Sequence, residues 1–441
     1  MIEPFRRAVK LGPMFRSMTK ASRALLLALL SALVPQSSAA PVEHVLHISV
    51  DGLSGVLLKD YLKAAPQNFP TFIRLTREAA HTFNARCDYY SSDTMPNHIS
   101  MWTGRPVLAP FAVPDNVSHG YITNVDLGVS LHKTGNTNIP YKASVFDVVH
   151  DHGKKTALLV SKTRLLIADR SYGLSHGASD LVQPNHGRDK IDATAGGDLQ
   201  GPPITNLVNA LVPFLGSDQV ANYTFVHLSE PDLTAHTYGW TSPIASNMVM
   251  LIDQQLDRVL KAVNSNPKMR DKTAVIIVSD HGGGGTNNIS HTTPEDPMNY
   301  TIPMFIMAPG VQGGADLHTL FSNRLDPGPA RPDYTAKPQP LRNGDTGNIA
   351  LHFLGLPPIP GSFMTPVFKE KAVTLRAAPA ENGQFLLWWS LPVNAARLES
   401  AESISRTEWV AVSNSLHTWG DMQLHLFTPS APQRYFRLRV F

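Results

Sequence analysis

The chain has 441 residues, 42% hydrophobic, 17% charged and 8% aromatic, which is too apolar for a disordered protein and long enough for a large domain with an appendage. The formal charge is +3, but residues 1–40 hold six basic side chains against Glu3, a net of +5, so the remainder carries about −2 and no nucleic-acid-binding surface is indicated. The one cysteine, Cys87, excludes an internal disulfide and a Cys-rich zinc finger.

The basic stretch ends at Arg23; Ala24–Val34 is uncharged and apolar, and Pro35–Ala40 is made of small residues. Basic, apolar, small is the order of a secretory signal, so residues 1–40 are expected to be cut near Ala40 and the mature chain exported to a periplasmic or extracellular space. No later stretch is apolar for long enough to predict a membrane span.

Beyond the signal, short β-rich runs alternate with helical patterns. His44–Val50, Thr156–Ser161, Tyr223–Ser229, Ala274–Ser279 and Met304–Ala308 read as buried strands. Val145–His152, Ala245–Val263 and Asp345–Leu354 carry helical spacing. Buried, mostly apolar strands separated by amphipathic helices predict an α/β/α sandwich around a mostly parallel sheet. Residues 312–345 are rich in Gly, Pro and Asp and predict a long loop. From about Val373 the texture changes to short runs, Phe385–Ser390, Ala396–Ser400, Glu408–Val412, Gln423–Phe427 and Tyr435–Val440, which predict a small β-sandwich-like module. The expected organisation is a signal over 1–40, a catalytic domain over 41–370 and an accessory module over 371–441, whose partner the sequence does not name.

The chemistry gathers at strand ends, where open α/β sheets bind ligands. Asp51, Asp232 and Asp280 each follow a predicted strand. Taken singly, each is an ordinary turn former or helix cap. Together with His236, one helical turn after Asp232, with His281 directly after Asp280, and with His291 beyond the glycines 282–285, they supply oxygen and nitrogen donors for two zinc-like ions. Ser92-Asp93-Thr94-Met95-Pro96-Asn97-His98 adds a hydroxyl that a cation can activate as a nucleophile, at the start of a helical-looking stretch. A phosphate oxygen placed there would meet helix N-terminal amides and the Asn97 carboxamide.

The set Asp51-Gly52, Thr94-x-Pro96-Asn97-His98, Glu230-Pro231-Asp232-x-x-x-His236 and Ser279-Asp280-His281-Gly282 resembles the type I phosphodiesterase/nucleotide pyrophosphatase branch of the alkaline phosphatase superfamily. His119-Gly120, Thr346-Gly-Asn-Ile and Gly355-Leu-Pro-Pro-Ile-Pro extend the resemblance, which runs from about Val45 to Ser362. It implies an alkaline phosphatase-like fold and two divalent metal ions, in this family zinc. Asp51, Thr94, Asp280 and His281 would surround one ion, and Asp232, His236 and His291 the other. It further implies that Thr94 is the nucleophile, that a covalent phospho-threonine forms and is then hydrolysed, and that Asn97 and the Thr94 amide hold the non-bridging oxygens.

Two departures bear on substrate. Met95 stands where nucleotide-cleaving relatives often carry a base-stacking Phe, which leaves Tyr121, Tyr172 or Trp240 to supply an aromatic platform. Ala235 replaces the glycine before the second-site histidine. A threonine in place of cysteine at the nucleophile argues against a formylglycine sulfatase. The sequence therefore predicts a hydrolase of small-molecule phosphoesters, cleaving diester or nucleotide pyrophosphate bonds. Phosphomonoesterase or phosphonoacetate hydrolase activity are the variants of the same machinery. An exported binding protein that keeps the fold without catalysis is the reading from another class, and the intact donor set weighs against it.

Overall fold

The computed structural model describes residues 42–110, 116–182, 187–196 and 203–369, together with most of the strand-bearing stretches between 375 and 440. The predicted export signal lies outside the described residues. The chain divides into compact units, one of which is Ala40–Lys369.

In that unit a seven-stranded sheet runs in the order β2-β7-β6-β1-β5-β3-β4. Its strands are β1 His44–Val50, β2 Ala80–Arg86, β3 Thr156–Val160, β4 Ala193–Gly196, β5 Tyr223–Leu228, β6 Thr273–Val278 and β7 Thr301–Met307. β1 pairs in parallel with β5 and β6, and β3 in parallel with β5 and β4. β7 runs antiparallel to both of its neighbours. The sheet is thus mostly parallel, as strands buried along their whole length imply.

Alternation along each strand feeds two cores. Val45, Tyr223, Phe225, Ile276 and Val278 face one side, and Leu46, Ile48, Val50, Val226, Leu228, Val275 and Ile277 the other. The helices Thr94–Thr103, Val145–Asp151 and Thr346–Phe353 place Trp102, Phe146 and Ile349 on the first core. Gly55–Ala64, Pro70–Glu78, Pro203–Gly216 and Pro243–Ser265 place Leu58, Phe72, Leu211 and Leu256 on the second. The result is the expected three-layer α/β/α sandwich. Pro243–Ser265 shows why the longest helix was legible: Val249, Ile252, Leu256, Val259, Leu260 and Val263 are all buried at helical spacing, behind a Ser242 cap that accepts from Ala245 N–H. Among the described residues no helix is long and apolar enough to cross a membrane.

Among the described residues, the tail holds two antiparallel sheets. β8 Arg376–Pro379, β9 Phe385–Ser390, β12 Leu416–Trp419 and β13 Met422–Phe427 form one, in the order β12-β13-β9-β8. β10 Ala396–Ala401, β11 Val410–Ala411 and β14 Tyr435–Val440 form the other, in the order β11-β10-β14. Leu387 and Trp389 from the first sheet and Leu398 from the second share one small core, the arrangement of a sandwich.

Candidate metal centre and nucleophile

Three neighbouring strands, β5, β1 and β6, end at the same edge of the sheet and deliver Asp232, Asp51 and Asp280 there. Asp51 follows β1 directly, its N–H bonded to Leu228 O of β5 at 2.9 Å. The next residue, Gly52, has φ +73, and a Cβ on it would lie 2.9 Å from Asp232 Cβ, so the backbones of two candidate ligand segments meet where only glycine fits. Gly52 N–H also donates to Asp280 Oδ1 at 3.0 Å, which His281 N–H shares at 2.9 Å.

Two groups of donors result. Asp51, Asp280 and His281 form one, and Asp232, His236 and His291 the other; within each, the ligand atoms lie within 4.8 Å of one another. Thr94 Oγ1 joins the first, 3.4 Å from His281 Nε2. The structure therefore brings together all seven residues that the resemblance assigns to metal.

The chemistry of these donors suits cations. Asp51 Oδ1, Asp232 Oδ1 and Asp280 Oδ2 are buried and have no hydrogen-bond partner among the described residues. Each imidazole spends Nδ1–H on a backbone carbonyl: His281 on Gly282 at 2.8 Å, His291 on Ser92 at 2.7 Å and His236 on Ile289 at 2.9 Å. A carbonyl only accepts, so Nδ1 keeps its proton in every state, and Nε2 is the nitrogen that faces the carboxylates, able to bind a proton or, in the neutral ring, a cation. Nε2 of His236 and of His291 lies 3.3 and 3.5 Å from Asp232 Oδ1, and Nε2 of His281 lies 3.4 Å from Asp51 Oδ1. Crowding shows in the ionisation. Burial, with the Asp51 charge adding, raises the Asp280 carboxyl to about 8. Against its desolvation, the His281 imidazole is pushed up to about 10 by Asp280, Asp51 and Asp232. Such a pocket calls for positive charge, and the oriented lone pairs fit divalent ions.

Trp240 braces the second group. Its Nε1 donates to Gly52 O at 2.9 Å, and its ring meets those of His236 and His291 with centroids 5.2 and 5.8 Å away.

Thr94 opens the helix Thr94–Thr103. His98, to which the sequence assigned no role, donates Nδ1–H to Thr94 O at 2.7 Å and packs against His227 with ring centroids 4.9 Å apart.

Asn97 requires a correction. Its Nδ2 donates to Ser91 O at 3.0 Å and Asp93 O at 2.9 Å, while its Oδ1 accepts from Asp88 N–H and Asn343 Nδ2, both at 2.9 Å. The carboxamide is wholly buried and saturated, so it shapes the turn before Thr94 and has no donor left for a phosphate oxygen. Asn124, unremarked in the sequence, is half-buried and accepts Met95 N–H on Oδ1 at 3.0 Å, which anchors a second carboxamide beside Thr94. Its signal was the short distance from His119-Gly120, which carries no chemistry by itself.

The aromatic platform also fails. Met95 is 0% exposed, and Tyr121, Tyr172 and Trp240 are 1%, 0% and 2% exposed, so none of the four presents a face to a ligand. Two histidines away from the site have internal partners: His47 Nδ1 bonds Tyr223 Oη at 3.0 Å, and His150 Nδ1 bonds Asp180 at 3.0 Å.

Lys162 was not foreseen. It follows β3 at the same sheet edge, nearly buried, with Nζ 2.7 Å from Asp51 Oδ2 and 2.7 Å from Asp232 Oδ2. A lysine after a strand reads as a solvated turn residue, and only the strand order reveals that this one points between two carboxylates.

Comparison with solved structures finds low-identity similarities. Murine ectonucleotide pyrophosphatase / phosphodiesterase 5, in an inactive form in complex with AMP, is 14% identical over 72% of this chain and 96% of its own, with a TM-score of 0.47. The lipoteichoic acid synthase LtaP from Listeria monocytogenes is 13% identical over 80% and 83%, with a TM-score of 0.49. A protein in the alkaline phosphatase superfamily from Vibrio parahaemolyticus is 12% identical over 85% and 84%, with a TM-score of 0.44. Comparison with curated proteins gives no match. Residues 147–300, the segment with Asp232, His236, Asp280, His281 and His291, match the family model described as type I phosphodiesterase / nucleotide pyrophosphatase, the same family that the motifs resemble.

Proposed function

We propose that the chain is an exported phosphoester hydrolase that cleaves diester or pyrophosphate bonds through a covalent phospho-threonine at Thr94. One observation carries this reading: the Thr94 hydroxyl stands 3.4 Å from His281 Nε2, at the edge of two donor groups whose Nε2 lone pairs and unpartnered carboxylate oxygens face inward. A binding protein has no use for a buried hydroxyl aimed at such a cluster. The family match over residues 147–300 supports a phosphoester substrate.

In this reading Asp51, Thr94, Asp280 and His281 hold one divalent ion, and Asp232, His236 and His291 hold another, most simply zinc given the nitrogen-rich second group. When bound, the pair lowers the pKa of the Thr94 hydroxyl and offsets charge on the phosphoryl oxygens. Thr94 Oγ1 then bonds to phosphorus, the leaving alkoxide or phosphate departs, and water later breaks the new P–O bond and restores the hydroxyl. Asn124, in place of Asn97, offers an amide to a non-bridging oxygen. His98 fixes the Thr94 carbonyl, and so the direction of the attacking side chain.

The test is a substrate panel on the purified full chain, with metal content measured on the same sample. Expected are about two zinc ions per chain, faster turnover of a small aromatic diester than of the matching monoester, and loss of turnover on chelation that zinc reverses. A metal-free chain that hydrolyses no phosphoester sinks the proposal. A monoester or phosphonate preferred over every diester keeps the machinery and moves the substrate class.

A further inference from the structure

Where β1, β5 and β6 end in carboxylates, β3 ends in a cation. Lys162 is 6% exposed, and its ammonium bonds one oxygen of Asp51 and one of Asp232, each at 2.7 Å. Those carboxylates belong to different donor groups. In both, the oxygen that Lys162 takes is Oδ2, and the remaining Oδ1 is the unpartnered atom that faces imidazole Nε2. Asp51 Oδ2 also receives His227 Nε2–H at 2.9 Å, and His227 Nδ1 lies 3.1 Å from Ser161 Oγ, the residue before Lys162. The contacts close into a ring that passes from β3 through β5 to β1.

We propose that Lys162 is a positioning residue that couples the two metal groups, holding Asp51 and Asp232 by their outer oxygens so that the inner oxygens stay turned toward their own histidines. The inference rests on the reading of those groups as metal sites. Two buried carboxylates repel, and a carboxylate without an outer partner rotates about its last bond. One ammonium shared between them offsets the repulsion, supplies the outer partner of Asp232 and adds to His227 on Asp51, and so sets the spacing of the two groups without entering either. It also cancels one negative charge in the pocket, which leaves bound divalent ions a larger positive surplus to present to a phosphoryl group. The competing account is that the ammonium merely fills space a metal would take.

The experiment measures Zn²⁺ affinity of the stripped full chain by competition with a chromophoric chelator, for the wild type, Lys162→Met and Lys162→Arg. Lys162→Met is expected to weaken both zinc ions by about 10–100-fold, as the loss of an outer partner does elsewhere. In the steady state kcat should fall with KM changed by no more than a few-fold, and Lys162→Arg should recover most of the zinc affinity. Unchanged or tighter zinc in Lys162→Met overturns the inference, and so does weakening confined to one ion. A zinc-loaded crystal structure of the wild type decides the matter even if Lys162→Met does not fold: Nζ should remain bonded to both Oδ2 atoms, and Nζ found elsewhere overturns it. Wild-type chain that takes up no zinc overturns this inference and the proposed function together. Wild-type chain with two Lys162-dependent zinc ions and no hydrolysis of any phosphoester overturns the function alone.

Discussion

Asn343 donates its side-chain amide to two oxygens at once, Asn97 Oδ1 at 2.9 Å and the Asp280 carbonyl at 2.7 Å. The helix that carries Thr94 is thereby tied to the strand end that carries Asp280 and His281 by a buried amide, before any metal is considered. Asn343 opens a 3-10 turn over Asn343–Asp345 that leads into the helix Thr346–Phe353, so the Thr346-Gly-Asn-Ile motif marks a structural brace three residues upstream of itself.

Thr94→Ala should reduce turnover by several orders of magnitude and keep zinc content, because Thr94 is one donor among seven and the only hydroxyl. Thr94→Ser should retain part of the activity. Steady-state rates alongside metal analysis read both; near-normal turnover in Thr94→Ala would mean that water attacks directly.

Asn97 and Asn124 should separate stability from catalysis. Asn97→Ala strips four hydrogen bonds, three of them buried, and should cost about 3 kcal/mol in urea unfolding. Asn124→Ala should leave the unfolding midpoint nearly unchanged and lower kcat by about 10²-fold, the loss typical of one oxyanion donor. The reverse pattern would return Asn97 to the phosphate.

Met95→Phe should not improve nucleotide diesters. The side chain is fully buried in the core that also holds Ile99 and Tyr121, so the larger ring overpacks it and should cost about 1–3 kcal/mol. A selective rise in nucleotide turnover over a small aromatic diester would show that the ring reaches substrate after all.

Lys142 predicts a pH signature. It is 0% exposed, and its ammonium donates to Ile139 O at 3.2 Å; burial, with Arg105 adding repulsion, pushes it down to about 8. The folded state then binds its proton more weakly than the unfolded chain, whose lysine titrates near ~10.4. The cost of burying the charge is therefore fully present below pH 8 and is relieved as pH rises from about 8 toward ~10.4. Relative to wild type, Lys142→Met should gain most at pH 7 and lose up to about 3 kcal/mol of that advantage by pH 10. A gap that stays constant across that range would rule out the ammonium as its source.

The sheet was legible because β1, β5 and β6 are short β-rich runs, and the ligands because an aspartate follows each of them, directly after β1 and within four residues of β5 and β6. β2 was not: Ala80–Arg86 interleaves His81, Asn84 and Arg86 with its apolar residues and carries a register shift between Thr82 and Ala85, which hides the period of two. Pro203–Gly216 was missed as a helix, with Pro203 and Pro213 breaking its pattern on paper. The errors at the site share one cause. Asn97 and Met95 were given roles from position in a motif, whereas burial decides whether a side chain is free to act, and burial comes from distant partners such as Asn343. Lys162 escaped for the converse reason, since its two partners lie in other segments of the chain.

The close approach of Gly52 to Asp232 also governs when the site can come into being. Asp51 is delivered by a strand whose two sheet neighbours lie about 180 and 230 residues further along the chain, as the pairings Val45 with Tyr223 and Val45 with Ala274 show. Such distant parallel pairing forms late, after the cost of closing long loops has been met. A nascent chain that has not yet reached residue 280 owns one ligand of the first group, Asp51, apart from Thr94, and two of the second, Asp232 and His236. Under the proposed function, metal uptake would follow closure of the sheet, after synthesis has passed His291.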